Sequence, residues 1–275
     1  MSFNDVSYRR RLVIFRSGGG SWRKIVGTSM KKYCIAAVIL FMAGSANAAD
    51  LGARPIYKAP PAPAVAYSWT GCYLGAEGGG GWGHSRWKAL TAADPADVGL
   101  TLAQMDLSGG LAGGTIGCNY QFAGSWVAGI ENDISWTNIK GDSFDNPPFN
   151  TDVLNTVKER WLDTLRGRIG YAWDRVFVYA TGGAAFARVT ATGFDTGGSA
   201  AFVSEDHTHT GWTAGAGVEW AFFDRWSLKA EYLHVDLGSK DYFVPPAVVN
   251  GFTFQSRDIS VRNDIVRAGL NYRFF

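Results

Sequence analysis

Residues 212–232 read WTAGAGVEWAFFDRWSLKAEY, and this stretch decides the fold. Apolar residues occupy every second position on both sides of Asp224-Arg225, and small or charged residues fill the positions between them. Successive side chains of a strand point to opposite faces, so a period of two indicates β-strands, whereas a helix would repeat every ~3.6 residues. The stretch predicts two antiparallel strands joined by a tight polar turn.

The same alternation recurs along the chain and predicts eight strands. It is clear in six segments, and glycine blurs it at about 69–83 and 106–122. Three links between strands are short and polar: Gly124-Ser125, Asp174-Arg175 and Asp224-Arg225. The other links are predicted as long loops, at about 84–105, 139–158, 190–210 and 238–256. Alternation of short and long links is typical of a transmembrane β-barrel with short periplasmic turns and long external loops.

The two faces of these strands differ in a way that suits lipid. One face is glycine, Thr, Arg, Glu and Asn, and the other is aliphatic and aromatic. In water the apolar face would expose a large adhesive band, whereas in a bilayer it is required. Aromatic residues also cluster at both predicted ends of the strands, as two membrane interfaces would demand. They are Trp69, Tyr120, Trp126, Tyr171, Trp173, Phe177, Trp220, Phe222, Trp226 and Tyr272 near the short turns, and Trp82, Trp136, Trp161, Phe186, Trp212 and Tyr232 near the long loops.

Composition excludes several other classes of protein. The chain has 35 glycines and 11 tryptophans in 275 residues, and only 18% of its residues are charged. This argues against a coiled coil, a basic nucleic-acid binder and a disordered chain. The longest apolar run, at 33–43, is shorter than the roughly 18 residues that a membrane-spanning helix needs.

The N-terminal region predicts export. Lys31-Lys32, an apolar run and Ala46-Asn47-Ala48 match the three parts of a secretory signal peptide. We predict an upstream extension at 1–29 of uncertain status, since either Met1 or Met30 could be the start. A cleaved signal at 30–49, a Pro-rich periplasmic linker at 50–68 and the barrel at 69–275 follow.

Charged residues on the glycine-rich face predict a polar interior. An eight-stranded barrel is barely wide enough for its own side chains, so inward charges must pair with each other. We expect them either to form a plug or, less favoured, to line a narrow polar path. The predicted network comprises Arg166, Arg168, Lys229 and Arg267 with Glu77, Glu131, Glu219 and Glu231.

Several segments resemble one known family. Residues 69–75 (WTGCYLG), followed by a glycine-rich run, and residues 266–274 (VRAGLNYRF) are similar to the first and last strands of small porin-like outer-membrane proteins of alphaproteobacteria, often called outer-membrane immunogenic proteins. Residues 171–175, 179–183 and 231–238 match as well, so the resemblance covers 69–275. It implies an outer-membrane barrel whose terminal Phe274, with Tyr272 and Leu270, is read by the barrel-assembly machinery; the additional Phe275 is a departure from that pattern.

Other candidate sites are weaker. His207 and His209, two residues apart in the third predicted loop, could bind haemin iron or a metal, although a solvated loop is the simpler interpretation. His84 and Ser85 lack assignable catalytic partners, and we expect no enzyme, cofactor or resident metal. Cys72 and Cys118 are expected to face lipid as free thiols, with a cross-strand disulfide as the alternative.

The sequence thus predicts a structural protein of the Gram-negative outer membrane with at most limited porin-like diffusion. The alternative is a surface-binding protein for haemin, a host factor or phage. The expected partners are outer-membrane lipid, lipopolysaccharide and the assembly machinery, with no nucleic acid.

Overall fold

A computed structural model describes residues 67–274 and is all β apart from one 3₁₀ turn, Pro95–Asp97. The predicted signal peptide, its upstream extension, almost all of the linker and Phe275 lie outside the described residues. Among the described residues, no helix is long and apolar enough to cross a membrane. The strands are β1 Gly71–Ala89, β2 Thr101–Phe122, β3 Trp126–Thr137, β4 Lys140–Phe144, β5 Val153–Trp173, β6 Val176–Asp195, β7 Phe202–Ala221, β8 Trp226–Tyr242, β9 Ala247–Val249, β10 Phe252–Phe254 and β11 Arg257–Arg273.

Eight of these strands form an antiparallel up-and-down ring. Neighbours along the chain pair from β1 to β2, β3, β5, β6, β7, β8 and β11, and β11 pairs back with β1 over 17 residue pairs from Tyr73↔Arg273 to Ala89↔Arg257. The short β4 continues β3 and pairs mainly with β5. The hairpin β9–β10 lies within the last long connection.

The three tight turns lie where the sequence predicts them, at one end of the ring that we call the turn end. The β2–β3 turn needs left-handed backbone, which Ala123 (φ 46°) and Gly124 (φ 80°) adopt, and Asp174 (φ 49°) does the same between β5 and β6. Glycine takes this conformation without strain, and Asp tolerates it.

At the opposite end, the loop end, the predicted boundaries are wrong. Residues 84–89, 101–105, 153–158, 190–195, 202–210 and 238–242 belong to strands rather than to loops. The connections that remain there are 90–100, 145–152, 196–201 and 243–256, the last of which contains β9 and β10.

The cause of this error is a change of apolar face within most of the long strands, which β8 shows clearly. In β8, Leu228 and Tyr232 are exposed on the outward face, while Lys229 and Glu231 are buried inside. Further along the same strand Leu233, Val235 and Leu237 are the buried, inward residues. The period of two continues, but its polarity reverses, so the pattern resembles the end of a strand.

Between the turn end and this reversal, the outward face carries an apolar band bounded by two aromatic belts. Exposed Tyr120, Trp173 and Trp220 lie in the turn belt, and Trp82, Trp136 and Trp212 lie in the loop belt. Two residues predicted for the turn belt, Trp69 and Phe177, are instead buried inside the ring, with ring centroids 5.3 Å apart. The Trp69 Nε1–H donates to the Asp174 carbonyl oxygen (2.9 Å), which holds the indole inside the turn end.

The two cysteines are bonded, contrary to the expected free thiols. Cys72 of β1 and Cys118 of β2 are direct cross-strand partners with Cα atoms 4.0 Å apart, and they form a disulfide. The bond joins the first two strands near the turn end.

Candidate functional site: the interior charge network

The interior of the ring, at the level of the apolar band, is filled by ionised side chains. Each comes from an inward position of a strand, because the two-residue period that turns apolar groups outward turns these groups inward. The structure brings all eight predicted residues into one network, and it adds Asp133. All nine are nearly inaccessible to solvent; none exceeds 6% exposure.

Arg166 of β5 lies at the centre of the network. Its Nη2 is 2.5 Å from Glu131 Oε1 and 2.6 Å from Asp133 Oδ2, while its Nη1 is 2.8 Å from Glu231 Oε1. The planar guanidinium can donate in several directions at once, which suits a position between carboxylates from β3 and β8.

Arg267 and Lys229 extend the network across the ring. Arg267 Nη2 is 2.6 Å from Glu231 Oε2, and its Nη1 also binds Glu77. Lys229 Nζ is 3.1 Å from Glu131 Oε1 and 3.4 Å from Glu77 Oε2. Carboxylates from β1 and β3 are therefore joined to cations from β8 and β11.

Arg168 connects the network to aromatic rings at the turn end. Its Nη1 is 3.1 Å from Glu219 Oε2 and 3.3 Å from Glu131 Oε2. The guanidinium carbon lies 4.7 Å from the Tyr73 ring centroid and 5.2 Å from that of Tyr179. Cation–π attraction strengthens when the cation is desolvated, as Arg168 is here.

Asp133 and Tyr73 are the main members that the sequence prediction omits. Asp133 binds Arg166, and its Oδ2 also lies 3.0 Å from Arg267 Nη2. Tyr73 Oη donates to Glu131 Oε2 at 2.5 Å. Asp133 carries a signal in the sequence, because it shares the inward face of β3 with Glu131. Tyr73 carries a weaker signal: it has the same parity as Glu77 in β1, but glycine blurs the alternation there, and its partner is 58 residues away in the chain.

Apolar groups fill the interior on both sides of the network. Toward the turn end, Trp69, Val127, Ala172, Phe177, Tyr179 and Ala221 form one buried cluster. Toward the loop end, a larger core includes Trp87, Met105, Leu107, Leu162, Val189, Leu233, Val235, Tyr242 and Ile259. From the turn end to the loop end, the interior is therefore filled first by mainly apolar side chains, then by the ion network, and then by mainly apolar side chains again.

A second buried ion pair lies where the loop-end core meets the connections between strands. Arg257 Nη2 is 3.2 Å from Asp145 Oδ2, and Asn155 Nδ2 donates to Asp145 Oδ1 at 2.6 Å. Burial raises the pKa of Asp145, and the Arg257 charge opposes that rise. Asp145 falls within the predicted long loop 139–158, but its side chain is buried in the interior.

His207 and His209 do not lie in a loop. Both belong to β7, where they pair with Val189 and Ala187 of β6, and both project inward. His207 Nε2 contacts Glu205 Oε1 at 2.7 Å. His209 is fully buried, and its Nε2 can donate to the Tyr242 hydroxyl (3.1 Å), which itself donates to the Val189 carbonyl oxygen (3.0 Å). Burial lowers the pKa of His209 to about 4, so this imidazole is neutral at pH 7.

The remaining candidates, His84, Leu270 and Phe274, lie on the exposed surface. His84 Nδ1 contacts Asp106 Oδ1 at 2.7 Å on the exposed outer face. Within the described residues, no group of three or more His, Cys, Asp or Glu side chains is arranged to hold a metal ion. Leu270 and Phe274 are exposed, at 41% and 40%, at alternating positions at the end of the chain.

Comparison with known proteins agrees with this architecture. The family described as "Outer membrane protein beta-barrel domain" matches residues 36–274. The 31 kDa outer-membrane immunogenic protein of Brucella melitensis is 34% identical over 250 residues, which are 89% of this chain and 100% of the relative. The 25 kDa outer-membrane immunogenic protein of Brucella abortus is 28% identical over 244 residues, or 87% of this chain and 96% of the relative.

Solved structures show a weaker likeness. The outer membrane protein OprG from Pseudomonas aeruginosa is 13% identical, with a TM-score of 0.46 over 76% of this chain and 99% of that chain.

A ring of antiparallel strands with an apolar outward band and a charged interior defines an outer-membrane β-barrel protein. Within that class, the chain belongs to the family of the outer-membrane immunogenic proteins. The predicted family and the predicted outer-membrane location are thereby confirmed.

Proposed function

We propose that this protein has a structural role in the outer membrane, as a closed eight-stranded transmembrane barrel that admits at most limited passive diffusion of small polar solutes. The observation that carries the proposal is the buried ion network of four cations and five carboxylates. Its members come from six strands and bind one another across the interior. Clusters of buried apolar side chains lie on both sides of it, so an ion would also have to pass between these side chains.

The orientation belongs to the same proposal. The tight turns would lie in the periplasm, and the loop end would project from the cell. Two observations support this orientation: the turns are short, and the strands continue well beyond the loop belt with outward faces that are mostly polar apart from one apolar row.

Liposome swelling in a small sugar tests the role. Liposomes that contain the folded protein should swell no faster than protein-free liposomes, and far more slowly than liposomes with a general porin. Swelling that increases with the amount of protein and decreases with solute size would refute the structural role and support diffusion.

We also propose that the last strand carries an assembly signal at Leu270, Tyr272 and Phe274. Support comes from the outward, alternating positions of these residues and from the exposure of Phe274. Phe274→Ala should reduce the amount of folded protein in the outer membrane, measured as the compact band on unheated gels. Normal assembly of both Phe274→Ala and Phe275→Ala would exclude a terminal signal.

Surface binding of haemin, a host factor or phage remains the alternative function. Of the two predicted ligands, only His207 is partly accessible, because His209 is enclosed beneath Tyr242. Saturable haemin binding that is lost in His207→Ala would favour this alternative.

A further inference from the structure

The outward surface of β4, β5, β6 and β7 beyond the loop belt is built in chemical tiers, and we call it the tiered face. Its outermost tier is a cross-strand row of apolar side chains in direct register: Phe144↔Leu154, Leu154↔Phe194 and Phe194↔Phe202. The three Phe side chains are 39–56% exposed, although they lie well outside the apolar band. A row of this kind in water needs an explanation, because soluble surfaces seldom align large apolar groups.

The innermost tier, next to the loop belt, is cationic. Lys140 and Lys158 are direct cross-strand partners, and both are exposed. Like charges directly opposite each other destabilise a sheet. Within the described residues, neither ammonium group forms an ion pair.

Two arginines complete this tier. Arg160 and Arg188 share one carboxylate, Asp206, at 3.9 and 3.5 Å. Their side chains are about half exposed, at 53% and 46%. The tier therefore carries four cations and one paired carboxylate, which leaves an excess of positive charge directly beyond the membrane band.

Between the cations and the apolar row lies a tier of small polar side chains. Thr156, Thr192 and Ser204 are in register with one another, and Asp142 pairs with Thr156. Leu154 is four residues beyond Lys158, which places the apolar row about 13 Å outward from the cations at ~3.3 Å per residue.

We propose that the tiered face binds the phosphorylated glycolipid of the outer leaflet, lipopolysaccharide. Its acyl chains would lie against the apolar band, its phosphates against Lys140 and Lys158, and its sugars against the hydroxyl tier and the aromatic row. Two features argue for this occupant: the unpaired cations complement phosphate, and the face continues the lipid-facing wall of an outer-membrane protein. The proposal rests on the membrane orientation given under the proposed function.

The test uses the full exported protein in detergent and measures ligand binding by native mass spectrometry. The probes are rough lipopolysaccharide, lipid A with both phosphates, and dephosphorylated lipid A. Lys140→Ala/Lys158→Ala should weaken binding of both phosphorylated probes about tenfold or more. Phe194→Ser/Phe202→Ser should weaken only the sugar-bearing probe. All four positions are exposed on the outer face, and the compact gel band verifies folding.

The matched control is Arg86→Ala/Lys88→Ala, which removes the same charge from β1, across the ring. Equal weakening by this control would mean non-specific attraction and overturn the proposal. Equal affinity of the wild type for dephosphorylated lipid A would do the same. A protein dimer that Phe194→Ser/Phe202→Ser abolishes would assign the aromatic row to a second copy instead. None of these results depends on liposome swelling, so failure here is separable from failure of the structural role.

Discussion

Glu231 shows how the interior holds its charges. Its two carboxylate oxygens bind two different guanidinium groups, Arg166 at 2.8 Å and Arg267 at 2.6 Å. A buried ion pair contributes little net stability when compared with apolar packing, because desolvation offsets the attraction. Removing one partner is different, since it leaves the other charge buried and uncompensated.

Glu231→Ala should therefore destabilise the folded protein by about 3–5 kcal/mol, because it leaves Arg166 and Arg267 with fewer buried counter-charges. Urea unfolding in detergent micelles, followed by loss of the compact gel band, measures the change. Asp106→Ala is the matched control, because it also removes a carboxylate but one whose side chain is 91% exposed. Equal midpoints for both variants would mean that water reaches the network.

His209 predicts a pH dependence at the loop end. Its pKa is about 4 in the folded state and ~6.5 when unfolded, so the unfolded chain binds more protons between these values. The contribution of neutral His209 to the unfolding free energy is complete above pH 6.5. It should be lost progressively as the pH drops toward 4, and the loss from this group is at most about 3 kcal/mol. The neighbouring titratable groups are His207, Tyr242, Lys240 and Asp258.

Other groups also titrate in this range, so the comparison with His209→Gln isolates the effect. The urea midpoint of the wild type should fall more between pH 7 and pH 4.5 than that of the variant. The same fall in both proteins would show that His209 is hydrated or already protonated.

The residues of the network could be predicted from the sequence, but their partners could not. Glu77, Glu131, Glu219 and the others occupy inward positions that follow from alternation alone. Which cation meets which carboxylate depends on strand register around the ring, and a single sequence does not contain that register. The same limit applies to the disulfide, because Cys72 and Cys118 become partners only when β1 and β2 pair in one register.

At the scale of the strand, the reversal of faces explains why the strand ends at the loop end are predicted wrongly. The inward apolar residues Leu233, Val235 and Leu237 follow outward Tyr232 without a break in the strand. A period-two search that keeps one face apolar ends the strand at this point. The extensions beyond the loop belt are therefore predicted as loops, although they continue the antiparallel pairing of the ring, with register shifts at Trp87/Lys88, Glu159/Trp161 and Ser260/Arg262.

The boundary of the apolar band can be tested by charge. Ile130→Arg, at a position 65% exposed between the belts, should destabilise the protein in lipid by about 2–4 kcal/mol, because the guanidinium would enter hydrocarbon. Ser204→Arg, outward on β7 beyond the loop belt, should change stability little. The free energy of unfolding in lipid vesicles measures the effect of each substitution. Similar costs at the two positions would mean that the membrane extends farther than the loop belt.

The disulfide should stabilise the junction of the first two strands. Cys72→Ser/Cys118→Ser should lower the unfolding free energy by about 2–4 kcal/mol, because the bond closes a loop across 46 residues of sequence separation. Mass spectrometry of a non-reduced digest should find the two cysteine peptides linked. Free thiols at both positions in the exported protein would contradict the pairing.

For the whole molecule, the two ends of the ring should lie on opposite sides of the membrane. An epitope inserted at Asn250, in the turn of the β9–β10 hairpin, should bind antibody on intact cells. The same epitope at Gly124, in a tight turn at the other end, should bind only after permeabilisation. Accessibility of Gly124 on intact cells would invert the proposed orientation.

The interior is filled at three successive levels, and conductance across a planar bilayer tests this most directly. The folded protein is delivered from proteoliposomes that carry a known pore-former, so that each fusion event is counted independently. We expect no stepwise openings above the bare bilayer after confirmed insertions. Steady, uniform openings that increase with the number of inserted molecules would show a continuous aqueous path and contradict the account.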